Sequence, residues 1–184
     1  MRGVAPVIST VVLLTVLLAA TIAALYYVGI ITMQTHASGE AKMAKDSLVV
    51  LAEQIERIKG AKEATYKITL STRYGVPNVM DGGTLAVSFD GDTLSFDQYV
   101  IRYSIPQNFF TEEPEELSGP TGLIVSNEPI PHVYTYTSGD FWIVELETVR
   151  IRLEHLYTEE TPSGSREVYA VNTVSYTHLR AHET

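Results

Sequence analysis

The chain has no cysteine, which excludes disulfides, thiol nucleophiles and cysteine-ligated zinc or iron–sulfur centres and leaves the redox compartment open. It has no Asn-x-Ser/Thr acceptor, because the tripeptides opened by Asn78, Asn108, Asn127 and Asn172 all fail at the third position, so N-glycans are not expected. There is no glycine-rich phosphate loop, HExxH, G-x-S-x-G or dinucleotide fingerprint, and a non-enzyme without cofactors is expected. The absence with the largest consequence is one of charge. Between Val4 and Met33 no side chain is charged, and an apolar run longer than about 18 residues marks a candidate membrane-spanning helix.

That run is VAPVISTVVLLTVLLAATIAALYYVGIITM. As a helix it would rise about 45 Å, whereas a bilayer's hydrocarbon core needs only about 20 residues. Tyr26 and Tyr27 form an interfacial aromatic pair, which places Ala5 to Leu25 in hydrocarbon. Ser9, Thr10, Thr15, Thr21 and Thr32 carry hydroxyls that can bond back to helix carbonyls. Pro6 falls in the first turn, where its missing N–H costs nothing. Ala19, Ala20, Ala23, Ala24 and Gly29 make a small-residue surface that admits a second helix at close range, although such residues are also common in spans at large. A cleaved secretory signal is the weaker reading, since only Arg2 precedes a run that is too long for one.

The opening MRGVAPVIST, continued by VVLLTVLLAATIAA, resembles the N-terminus of archaeal type IV pilin-like proteins, in which a basic residue and a glycine precede a short V-S/A-P-V-I-type segment and a long apolar helix. The resemblance covers about the first 25 residues, and the leader Met1-Arg2-Gly3 is shorter than is usual in that family. It implies a dedicated leader peptidase that cuts between Gly3 and Val4 on the cytoplasmic side. It also implies an N-terminus inside, a C-terminal domain outside, and other pilin-like subunits as partners through the helix. Ala19, Ala20, Ala23, Ala24 and Gly29 would then be the assembly face.

Beyond Met33 lie all 22 acidic residues and 12 of the 13 lysines and arginines, a balance of −10. Such a surface does not invite nucleic acid. Residues 34–60 form an amphipathic extension of the helix, with Ala44, Leu48, Leu51, Ile55 and Ile58 on one stripe, Ser38-Gly39 as a place to kink and Gly60 as the C-cap. His36 in this junction is expected in solvent at headgroup level. From residue 61 to 173 the period becomes that of strands, in ATYKITLS, TLAVSFDGDTLSF, QYVIRYSI, TGLIVSN, HVYTYTSG, FWIVELETVRIRLEHLY and REVYAVNTV. Asp90-Gly91-Asp92 marks one tight turn and Thr161 to Ser165 another. TEEPEELSGP, from Thr111 to Pro120, reads as an exposed acidic loop. Pro129-Ile130-Pro131 reads as an extended stretch outside any ladder.

The candidate chemistry is sparse. Asp81, Asp90, Asp92 and Asp97 could gather a calcium ion, or could simply be turn formers whose side chains bond the local backbone. His132 or His155 could head a hydrolytic triad, which is recognised by geometry rather than spacing. The tyrosines of VYTYTSGDFW are expected to fill a core or pair across strands, with stacking on a sugar or partner as the alternative. Residues 174–184, VSYTHLRAHET, resemble the translation of a sequencing adapter and are set aside from fold reasoning, His178 and His182 with them.

The expectation is therefore an α+β protein, a long N-terminal transmembrane and amphipathic helix followed by an antiparallel β-sandwich-like domain. Its expected role is that of a pilin-like, membrane-anchored surface protein whose partners are the lipid bilayer and its own kind. A monomeric anchored binding module is the alternative.

Overall fold

The computed structural model describes residues 4–57, 66–89, 92–122, 124–125, 131–148, 150–161 and 164–174. One helix, α1 (Val4–Arg57), is followed by eight strands: β1 (Val76–Phe89), β2 (Asp92–Pro106), β3 (Glu116–Ser118), β4 (Ile124–Val125), β5 (His132–Ser138), β6 (Phe141–Glu147), β7 (Arg150–Thr161) and β8 (Gly164–Val174). This is the expected α+β order. The helix spans 54 residues, about 81 Å at 1.5 Å per residue. Its helical pattern runs unbroken through Ser38 and Gly39. The expected C-cap at Gly60 lies outside the described residues.

The strands divide into two sheets. Five form an antiparallel sheet in the order β1-β2-β6-β5-β3, and three form a smaller sheet in the order β4-β7-β8, with β4 parallel to β7. The turn chemistry read from the sequence matches the pairing. Phe89 opposes Asp92 across residues 90–91, and Thr161 opposes Gly164 across residues 162–163. A third tight hairpin joins β5 to β6 at Ser138↔Phe141. There Gly139 has φ +56°, a conformation that costs glycine nothing.

The layer that closes the inner face of the five-stranded sheet is α1. Ala41, Ala44, Leu48, Leu51, Ala52 and Ile55 pack on Ile101, Tyr103 and Ile105 of β2, Val133 of β5, and Trp142, Val144 and Leu146 of β6. Alternation along each strand aims these positions at the helix and their neighbours at the opposite face. The stripe recurs at spacings of three and four, which keeps it on one side of the helix. Trp142 is fully buried, and Phe110 meets it edge-on at 4.9 Å between ring centres.

The segment ATYKITLS departs from its expected strand. Residues 64–65 lie outside the described residues, and Tyr66 to Ser71 pair with no strand. Instead Ile68 and Leu70 pack on the core cluster. Their alternation serves contact with the core rather than a ladder. Ser71 Oγ donates to Glu40 at 2.5 Å, the Tyr74 amide donates to the same carboxylate at 3.0 Å, and the Tyr103 hydroxyl reaches it at 3.2 Å. Glu40 is thus the first charged residue after Arg2 and ties helix, segment and sheet together. Gly75 belongs to the same junction, because a Cβ there would run into the Tyr103 ring.

The acidic loop is only partly free. Its residues 111–116 are exposed, yet Lys45 of α1 meets Glu112 at 2.6 Å and Glu115 at 3.6 Å. The loop then enters β3, the short edge strand beside β5.

Candidate functional site

Two regions hold the unusual chemistry, and the first is the N-terminal half of α1. Burial along the helix begins at Ala37, and from Ser9 to His36 the helix touches nothing that covers it. Aliphatic side chains from Val11 to Ile31 are 37 to 69 % exposed. Completely withdrawing one such side chain from water is worth about 1.5–3 kcal/mol, so leaving roughly a dozen of them in water costs more than a typical domain's whole stability. The most apolar window of the helix, of mean hydropathy 2.4, is 0 % buried. A soluble protein's core helix would be covered; this one is not.

The hydroxyls in the rod find partners without help. Thr15, Thr21, Thr32 and Thr35 donate to the carbonyls of Val11, Leu17, Val28 and Ile31 at 2.8–2.9 Å. In hydrocarbon every polar group must be satisfied internally, and these are. A helix of this length, composition and exposure fits membrane anchoring.

Of the residues expected to act in assembly, Ala19, Ala20, Ala23 and Ala24 are exposed on the rod. A Cβ at Gly29 would meet nothing within 4 Å, so that surface is open to a neighbouring helix. Val4 opens the described helix, whereas Gly3 lies outside the described residues. His36 is exposed, as expected of a solvated junction residue.

The second region is on the face of the five-stranded sheet opposite α1. Register brings His132, Tyr134 and Tyr136 of β5 alongside Glu147, Glu145 and Ile143 of β6, and Arg102 of β2 alongside Glu145. Glu145 is 6 % exposed. It accepts from Arg102 at 2.7 Å, Tyr136 at 2.7 Å and Tyr134 at 2.9 Å. Buried charge of this kind is tolerable because it is paired and hydrogen-bonded. Tyr134 also reaches Glu147 at 3.2 Å. His132 contacts Glu116 of β3 through Nε2, lies 3.7 Å from Glu147 through Nδ1, and stacks on Tyr134.

Burial, then the bond to Glu145, raises the Tyr136 phenol to about 12. Burial followed by Glu145 and Glu147 pushes Tyr134 upward as well, and burial with Glu40 does the same to Tyr103. These phenols are therefore neutral donors at ordinary pH. Burial raises the Glu147 carboxyl, with a partial offset from the Tyr134 bond and further lifting by Glu145 and Glu116. Burial alone would lower Arg102, but its bond and charge pairing with Glu145 carry it upward.

No serine, threonine or cysteine joins the described contacts of His132, and a cleft of the molecule lies elsewhere. That cleft, about 620 Å³, runs between α1 and residues 110–117 and is lined by Lys42, Lys45, Val49, Phe110, Glu115 and Leu117 among others. His155 lies on β7 with its Nε2 3.3 Å from Thr158. The tyrosines divide between core and face: Tyr103 is in the core, and Tyr134 and Tyr136 stack along the polar face at 5.6 Å.

Asp81 and Asp92 do not converge. Asp81 opposes Tyr99, seven steps along β2 from Asp92, which separates them by about 23 Å at 3.3 Å per residue. Asp81 Oδ1 instead accepts from the Gly83 amide at 2.8 Å beside a β-bulge, and Asp90 lies outside the described residues. Among the described residues no group of three or more His, Asp or Glu side chains could hold a metal ion. The tail beyond Val174 also lies outside the described residues, and Val174 itself pairs with Arg150.

The sequence marks His132 and the tyrosines of β5 one by one, but neither Glu40 nor the cluster as a unit. The available signal was the period-two recurrence of His132, Tyr134, Tyr136 along β5 and of Glu145, Glu147 along β6. No protein-family model matches the chain, and comparison with curated proteins and with solved structures finds no match.

Proposed function

We propose that the protein is a pilin-like surface protein, held in the cell membrane by the N-terminal half of α1 and displaying its β-rich head outside the cell for adhesion or surface contact. The observation that carries this reading is a single helix with two opposite surroundings: apolar to Met33 and bare from Ser9 to His36, docked on a sheet from Ala37 to Ile55. A rod continuous with its head can pass its apolar surface from lipid to the rods of other subunits without refolding. Either setting hides the same side chains. The open surface at Ala19, Ala20, Ala23, Ala24 and Gly29 supports close helix approach.

The similarity of the first residues to archaeal pilin-like chains adds a processing step, cleavage between Gly3 and Val4 by a leader peptidase. It also adds an orientation, with the N-terminus in the cytoplasm. Mass determination of the mature protein tests the first: a chain beginning at Val4 is expected, and an intact Met1-Arg2-Gly3 overturns passage through that route. Protease added to intact cells tests the second, with cleavage in the head expected.

Assembly is tested by shearing surface material from cells and imaging it. Filaments containing the chain are expected, and replacing Ala20 and Ala24 by Leu should abolish them while leaving membrane attachment intact. A chain that stays monomeric in the membrane under all conditions leaves the anchored, non-polymerising module as the correct reading.

A further inference from the structure

Two carboxylates from different strands face the two nitrogens of one buried imidazole. His132 is 6 % exposed, and its Nε2 meets Glu116 of the edge strand β3 while its Nδ1 faces Glu147 of β6 at 3.7 Å. The other titratable groups around it, among the described residues, are Tyr134 and Tyr136 of β5, Glu145 of β6 and Arg102 of β2. None of these supplies a proton to Glu116. Arg102 is engaged with Glu145, Tyr136 donates to Glu145, and Tyr134 divides one hydroxyl proton between Glu145 and Glu147. A neutral imidazole can keep its single N–H on Glu116, whereas the imidazolium also sets a positive charge 3.7 Å from Glu147.

We propose that His132 is a proton-operated latch on the edge of the head: a proton gained by the imidazole clamps β3 to β5 and β6, and its loss releases β3. The sign follows from the charge. At low pH the imidazolium offsets both carboxylates. As pH rises through the imidazole range that charge disappears, and Glu116 and Glu147 are left to repel each other across a neutral ring. Burial of Glu147, which favours its protonated form, acts in the same direction.

The latch acts on a short edge strand whose other ties are its ladder to β5 and the packing of Leu117 on the core. The strand spans three residues at the sheet edge, pairs with β5 at Glu116↔Tyr134 and Ser118↔Val133, and is helped by the Thr135 amide donating to the Glu115 carbonyl at 2.8 Å. Just upstream, Glu112 and Glu115 hold Lys45 of α1. Release of β3 would free that contact and bare the edge of β5, a row of unpaired backbone groups able to accept another strand.

Amide exchange of the full chain in detergent micelles, expressed as protection relative to the free-peptide rate, tests the latch. Between about pH 5 and pH 8, where imidazoles titrate, protection of residues 116–118 should fall on the order of tenfold, while Val144 and Leu146 in the centre of the sheet keep theirs. His132→Gln retains an amide donor and removes the titration, so the fall should vanish. Glu116→Gln removes the charge on β3 that the imidazolium pairs with and should flatten the profile without touching the imidazole. Equal protection of 116–118 at both pH values in the unaltered chain overturns the proposal, as does an undiminished fall in either variant. Should His132→Gln fail to fold, the unaltered chain and Glu116→Gln decide the matter.

Discussion

The two halves of α1 share one backbone and one helical geometry, yet they are solvated in opposite ways. From Ser9 to Met33 the helix is uncharged and largely apolar all round, and it is bare to His36; from Ala37 to Ile55 it is apolar on one stripe, charged elsewhere, and covered by a sheet on the stripe alone. A helix hydrophobic on every side needs a surrounding apolar medium, whereas a striped one needs only a single partner surface. The change of surroundings falls at Ala37, three residues before Glu40 fixes the helix to Ser71, Tyr74 and Tyr103. The head is thus built on the last twenty or so helical residues, and the rod projects from it as a handle.

Substitutions should separate the halves. The largest effect is expected from Trp142→Ala, which empties the fully buried centre of the helix–sheet core and should cost the head about 3–5 kcal/mol. Thermal unfolding in detergent measures it, and retention in the membrane fraction should be unchanged. Leu18→Arg attacks the other half. A charge near the middle of a span costs about 3 kcal/mol of insertion, so the chain should leave the membrane fraction while the head melts at its usual temperature. A drop in head stability here would break the comparison, because it would mean that the rod packs on the head.

Glu40→Ala strikes the junction itself. It leaves the Ser71 hydroxyl and the Tyr74 amide without their acceptor, though Tyr103 keeps its bond to the Ser71 carbonyl at 2.8 Å, and about 1–3 kcal/mol of head stability should be lost. Faster amide exchange around Tyr74 than in β6 would place the loss at the junction. Lys45→Ala should do least. The partly exposed pairs with Glu112 and Glu115 are worth no more than about 1 kcal/mol, and added salt should erase the difference from the unaltered chain.

Much of this division is legible in the amino-acid order. Absence of charge over thirty residues declares the rod, and the spacing of Ala44, Leu48, Leu51 and Ile55 declares the docked stripe. The hairpins closing at residues 90–91 and 162–163 follow from Asp-Gly and Pro-Ser-Gly. Tyr66 to Ser71 were less legible, because alternation fits both a ladder and an extended segment laid against a helix. Strand β1 begins earlier than composition suggests, since Pro77 can sit on an edge strand. The polar cluster was not legible as a unit, since Arg102 and Glu145 are 43 positions apart and His132 and Glu116 are 16 apart.

What the linear order determined by itself was local: an uncharged rod, an amphipathic continuation, strands and their tight turns, each set by the period of apolar residues and by turn chemistry. What only the tertiary structure decided was which side chains meet. Strand register places His132 between Glu116 and Glu147 and makes Glu145 the acceptor of three donors. The docking of α1 turns Glu40 from one acidic residue among 22 into the clamp between rod and head. Register and docking depend on contacts between distant segments, and no local period encodes those.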